Sequence, residues 1–317
     1  MYEFYYQSLS DKEKRLYDNL LKGVKYQYTS VFVSFRCNDK EIGNVFKAVL
    51  YDHPELFYLK LGWRYSYGPG GTEIVPEYTY KLDEVAEIEK RLHAKFDRVF
   101  SRIIKEKDEF AKVLMVHDYI CTTVRYDKDD DTSFNVLGPF FTGHSACQGI
   151  AMMAKYLFDY IGIKSIFIFG KAVGEGHSDG HAWNKVQVNG NWYNIDITFD
   201  LRVHGCLQYA YFNITDKELK ADHVIETKNS PECNSQVDNY FYHQGLVFAS
   251  VGDAANYFNE RMKIANFCSF RLKDASKTDH SQEILDLIEW DVKRGFVKAS
   301  VFAYLETQTY TLIRNIK

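Results

Sequence analysis

The hydrophobic pattern changes period along the chain, from helical spacing in the first half to strand spacing around residues 165–198. Ser10-Asp11-Lys12-Glu13 carries the hydroxyl and carboxylate of a capping box, and Leu16, Leu20 and Leu21 follow on one helical face as far as Gly23. Ile42, Val45, Phe46 and Val49 predict a second helix over 39–51, which Pro54 helps to stop. Two β-prone runs, 56–67 and 73–80, flank Gly68-Pro69-Gly70-Gly71 and predict a hairpin. Its second strand carries Pro76, which lacks an N–H and so belongs at a sheet edge. Val85, Ile88, Leu92, Phe96, Val99 and Ile103 form the stripe of a long helix over 82–105, and another helix is expected over 109–122. A polar loop over 127–143 precedes a helix over 146–160 that Gly162 closes.

From there the texture changes. Ser165-Ile166-Phe167-Ile168-Phe169 is a continuous apolar run of strand length, and two further strands, 181–188 and 191–198, flank the turn dipeptide Asn189-Gly190. Helices followed by consecutive strands, without βαβ alternation, predict an α+β fold with an antiparallel sheet. Beyond about residue 215 the pattern weakens to helices over 253–264 and 280–290 and β-prone runs over 240–250 and 296–304. The expected organisation is an N-terminal helical and hairpin region (1–105), a core (106–215) and a C-terminal α+β extension (216–317).

Composition alters this picture little. The 317 residues carry a formal net charge of −4, which gives no basic field for nucleic acid. Aromatic residues make up 16%, with 24 Tyr and 23 Phe, enough to build a core or a binding groove from rings. The acidic triplet Asp129-Asp130-Asp131 reads as a solvated loop. The six cysteines, Cys37, Cys121, Cys147, Cys206, Cys233 and Cys268, are widely spaced and expected to be reduced. Neither a signal peptide nor an apolar run long enough to span a membrane is visible, so a cytoplasmic location is expected.

The chemistry concentrates on three positions. A thiol attacks a carbonyl only as thiolate, and a helix N-terminus favours that charge. Cys147 opens the helix over 146–160, with Ser145 as its candidate cap and Gly149 and Ala151 keeping the first turn slim. His181 begins a strand after a glycine-rich loop and projects to the same face as Trp183. With residues 189 and 190 as the turn, residue 188 pairs with 191 and 181 with 198. Asp196 then lies diagonally from His181 on the same face, within reach to orient its imidazole. Asp200 lies beyond the paired segment and is the second choice. His177, Asp179 and His181 alternate as metal ligands do, but a flexible glycine-rich loop is a poor frame for an ion, and no metal or cofactor is expected. His144 reads as a neighbour of the helix start and Cys121 as a core residue. The oxyanion of an acyl transfer needs two donors: Cys147 N–H is one, and Asn135 or Tyr126 the other.

At these residues the chain resembles the transglutaminase-like superfamily, whose members share a papain-like core. The resemblance runs from about residue 110 to 200. It rests on Val124-Arg125-Tyr126-Asp127, Cys147-Gln148-Gly149-Ile150-Ala151, Gly180-His181-Ala182-Trp183-Asn184 and the strand from Trp192 to Asp200. The segments 52–58 and 211–216 look similar to flanking parts of bacterial members. The resemblance implies a nucleophile-bearing helix packed on an antiparallel sheet, with Cys147 as nucleophile, His181 as general base then acid, and Asp196 as orienting carboxylate. It implies acyl transfer on amide bonds of peptides or proteins through a thioester, as a cysteine protease or amidase rather than a cross-linking enzyme. The implied partners are a peptide or glutamine-bearing protein and an amine acceptor, with no nucleic acid or membrane. The alternative is a catalytically inactive scaffold on the same fold.

Overall fold

The computed structural model describes residues 1–101, 103–129, 131–174, 177–202, 205–273, 276–288 and 296–316. The chain divides into two compact units, Met1–Ile168 and Phe169–Lys317.

In the first unit the capping box at Ser10 forms as the sequence predicts: Ser10 Oγ accepts from Glu13 N–H, and Glu13 Oε2 accepts from Ser10 N–H at 3.0 Å. The helix it opens, Asp11–Lys25, runs past Gly23. That glycine is a point of close packing rather than a stop, because a Cβ there would lie 2.3 Å from Val31 Cγ2. Asn38 caps the next helix, Asp39–Asp52, whose Ile42, Val45, Phe46 and Val49 are all buried. Its last residue, Asp52, accepts from Tyr5 N–H at 3.0 Å and Tyr6 N–H at 2.8 Å, which pins the short N-terminal helix Phe4–Gln7.

The hairpin forms from Leu59–Gly68 and Gly71–Tyr78. Its second strand is central rather than at an edge, because Val31–Val33 adds on the other side. That added strand pairs only with Thr72, Glu73 and Ile74, so Pro76 sits where no donor is required on that side. The long helix covers Leu82–Phe100 and gives way to a 3₁₀ turn at Ile103–Lys105. Asp108 caps Glu109–Thr123 through two backbone N–H groups. The segment expected as a polar loop contains a 3₁₀ turn, Asp131–Phe134, and a π-helical turn, Gly138–Thr142, whose Phe140 packs edge-on against Phe96 at 4.1 Å. Asp130 of the acidic triplet lies outside the described residues.

The second unit contains two sheets. One orders Asn191–Ile195, His177–Val188, Ser165–Gly174 (of which residues 169–174 belong to this unit) and His223–Ile225, with the first pair and the last pair antiparallel. The other orders Val247–Phe248, Phe267–Leu272, Thr309–Ile316 and Phe296–Tyr304. Against the second sheet pack Val251–Ile264 and the short helix Ser281–Asp286, around Phe258, Met262, Phe270, Tyr310 and Leu312. The β-prone run 240–250 holds a helical turn, Tyr240–His243, and only a two-residue strand. The helix predicted over 280–290 stops at Asp286, and residues 289–290 lie outside the described residues. Helices with largely antiparallel sheets make this an α+β protein; two short strand pairs are parallel.

Candidate active site

The helix Cys147–Tyr160 starts at the predicted cysteine, but its cap differs from the expectation. Ala146 occupies the N-cap and supplies no side-chain acceptor. Ser145 Oγ instead donates to Ser133 O at 2.9 Å, and so leaves the first-turn amides without a side-chain acceptor from the cap. Gly149 is required here: a Cβ would lie 2.4 Å from Ser133 O and 2.9 Å from Asn135 O. The backbone of 133–135 therefore lies directly against the first turn. Of the six cysteines, none in a disulfide, Cys147 alone is not buried. Burial pushes the thiols of Cys37, Cys206, Cys233 and Cys268 up, Cys268 to about 12, which makes them inert as nucleophiles. Cys121 is in the core, as expected.

Beside this turn Asn135 Oδ1 accepts from Leu137 N–H at 2.8 Å, which fixes the carbonyl end of the amide. Tyr126, the other candidate donor, is half exposed. Asn135, Gln148 and Met152, with Leu56, Phe57 and Leu59, line a cleft of about 310 Å³. His144 is held by Asp127 at 3.2 Å and remains exposed.

The second unit presents the histidine and the carboxylate. Asn189 and Gly190 both have positive φ, 50° and 85°, as a tight two-residue hairpin demands. The register, Val188↔Asn191 through Asn184↔Ile195, is the one the sequence implies. The second strand ends at Ile195 rather than 198, because Asp196 Oδ1 accepts from Phe199 N–H at 3.1 Å and turns the chain away. Asp196 then reaches His181: Nε2 lies 2.6 Å from Asp196 Oδ2, and both side chains are buried. Rings of Trp183 and Phe199 flank the imidazole at 5.9 and 5.0 Å.

A residue not singled out in the sequence joins them. His223 Nε2 lies 3.1 Å from the same oxygen, Asp196 Oδ2, and its Nδ1 lies 2.5 Å from Asp222 Oδ1. Tyr211 OH donates to the other oxygen of Asp222. No periodicity or spacing signals this contact; it depends on the antiparallel pairing of His223–Ile225 with Ser165–Gly174, in which Ala172 is opposite His223. Gly170 permits that pairing, since a Cβ there would meet Val224 O at 2.0 Å. Burial by itself pushes the Asp196 carboxyl up, but His181 and His223 outweigh it and hold it well below the usual carboxylate range. Asp200 takes a different role, accepting from Tyr211 N–H at 3.0 Å.

Atoms of His181, Asp196 and His223 lie within 4.8 Å of one another, close enough to surround a cation. The 2.6 Å separation of His181 Nε2 from Asp196 Oδ2 is that of a short hydrogen bond, shorter than the gap of about 3 Å between two ligands bonded to one ion at their usual lengths. Of the alternating trio, Asp179 is exposed, His181 is engaged by Asp196, and the side chain of His177 lies outside the described residues.

Residues 98–197 match the Transglutaminase-like superfamily, and this segment of the chain is transglutaminase-like. No curated protein matches the chain in sequence. Among solved structures, a candidate cysteine protease from Cytophaga hutchinsonii is 16% identical over 46% of this chain and 65% of its own, with a TM-score of 0.31. A TGase is 17% identical over 53% of this chain and 50% of its own, with a TM-score of 0.28. A candidate protease from Parabacteroides distasonis is 12% identical over 47% and 40%, with a TM-score of 0.24. The chain thus spans less than two thirds of the length of each.

Proposed function

We propose that the chain is a thiol-dependent enzyme that breaks amide bonds of peptides or proteins, with Cys147 as nucleophile, His181 as general base and acid, and Asp196 as the group that orients the imidazole. The observation that carries this reading is the buried 2.6 Å bond between His181 Nε2 and Asp196 Oδ2. With Nε2 engaged, proton exchange with a thiol runs through Nδ1, and the imidazolium formed there has a counter-charge already in place.

The steps follow. His181 Nδ1 takes the proton of the Cys147 thiol, and the sulfur adds to the amide carbonyl carbon. Negative charge moves to the carbonyl oxygen, which accepts hydrogen bonds from Cys147 N–H and Asn135 Nδ2. Asn135 is favoured over Tyr126 because its carbonyl end is held by Leu137 N–H, which leaves the amide nitrogen as the end that donates. The oxyanion collapses, the C–N bond breaks, and His181 returns the proton to the departing ammonia or amine. Water, deprotonated by His181, then hydrolyses the thioester and restores the thiol. Water is favoured over an amine acceptor because Cys147, alone among the cysteines, is partly exposed to solvent. The cleft beside Gln148, walled by Leu56, Phe57 and Leu59, suits an apolar stretch of the substrate flanking the reacting amide.

The test is intact-protein mass spectrometry after incubation with a mixture of peptide amides. An acyl adduct on Cys147 with one equivalent of ammonia or amine released is the expected result. Equal product from wild-type protein and Cys147→Ala would remove the assignment.

A further inference from the structure

We infer that His223 is a charged positioning residue that shares Asp196 with His181 and moderates how firmly that carboxylate holds a proton on the His181 ring. The inference rests on His181 being the base of the reaction.

Both ring nitrogens of His223 face carboxylates, Nδ1 at 2.5 Å from Asp222 and Nε2 at 3.1 Å from Asp196. A neutral imidazole carries one N–H, so one of those contacts would set a nitrogen lone pair against an anionic oxygen. The ring is buried, with Phe199 at 4.7 Å and Trp183 at 5.2 Å between ring centres, so water does not relieve that repulsion. A second proton converts both contacts into charge-assisted hydrogen bonds. Burial disfavours the charged ring, but the hydrogen bonds to Asp196 and Asp222 outweigh it and raise its pKa.

The charged groups next to the ring, among the described residues, are consistent with a cation there. Asp222 has its second oxygen engaged by Tyr211 OH, and Tyr211 in turn takes Asp200 on its N–H. On the strand alongside, Lys171 is paired with Glu226 at 3.6 Å at the surface. Among the described residues, the network joined to His181 through Asp196 therefore carries two carboxylates and one imidazolium, rather than two carboxylates alone. Without the imidazolium, Asp196 would offer its full charge to His181. The proton taken from the thiol would be held too firmly to be passed to the leaving amine.

The test reads ring resonances of isotopically labelled histidine by NMR across about pH 5 to 8. His181 and His223 signals are identified by their loss in His181→Gln and His223→Gln. In the wild-type chain the His223 ring is expected to keep imidazolium shifts throughout. In His223→Gln, whose amide still donates to Asp196 without charge, the His181 midpoint is expected to rise by about one pH unit or more. Asp222→Asn removes one of the two carboxylates that hold the second proton on His223, so that ring is expected to lose its proton within this range, which provides an independent variant should the first fail to fold. A wild-type His223 that is neutral at neutral pH, or a His181 midpoint unmoved in a folded variant, overturns the inference. These readouts need no thiol chemistry. Failure of Cys147 to acylate would therefore count against the proposed function alone, and an unmoved midpoint against His223 alone.

Discussion

Asp196 has no exposed surface, yet one of its oxygens serves two imidazoles and the other a backbone N–H. A carboxyl held below its unfolded value near 4 contributes stability that is present above that pH and is lost as the pH falls through the folded value. Asp196→Asn should therefore cost about 3 kcal/mol at neutral pH, because it leaves two buried donors facing a neutral amide. Below about pH 4 the cost should shrink, because the unfolded wild-type chain takes up a proton at Asp196 there while the folded chain still holds the charge. Urea unfolding of both chains at several pH values measures this. A cost independent of pH would mean that Asp196 acts by shape rather than charge. His181 and Asp196 were legible as residues because a two-residue turn fixes the register between their strands. His223 was not, because its place depends on pairing with a strand distant in sequence, and sequence spacing carries no record of that.

The helix Cys147–Tyr160 and the hairpin after it are the elements that present the chemistry. The helix was legible because its apolar positions recur with helical period, but its cap was misjudged: Ser145, a good capping residue by type, turns to Ser133 O instead. The first strand, Val31–Val33, escaped notice because three residues are too short to show alternation. Its presence moved the Pro76 strand from an edge to the centre. Gly149 marks how tightly the Cys147 turn is held by its surroundings. Gly149→Ala would place a methyl 2.4 Å from Ser145 Oγ and from Ser133 O, the second a backbone atom that cannot swing aside. The expected loss is about 2 kcal/mol or more, seen as a lowered Tm, together with slower thiol reactivity as residues 133–135 are displaced. An unchanged Tm would mean that the close approach is not needed.

For the whole molecule, the α+β class and the transglutaminase-like segment were readable because the signal lies in contiguous motifs between residues 98 and 197. The C-terminal sheet was largely unreadable: Phe267–Leu272 and Thr309–Ile316 pair across a long separation, with no tight turn between them to set the register. No helix among the described residues is long and apolar enough to cross a membrane. The two compact units carry the parts of the proposed chemistry separately, the thiol in one and the His181–Asp196–His223 network in the other. The central claim is therefore that Cys147 and His181 act on one another. The rate of Cys147 alkylation by iodoacetamide at neutral pH, compared between the wild-type chain and His181→Gln, tests it most directly. Cys147 should react well ahead of the five buried cysteines, and His181→Gln should slow it by about tenfold or more. Equal rates in the two folded chains would contradict it.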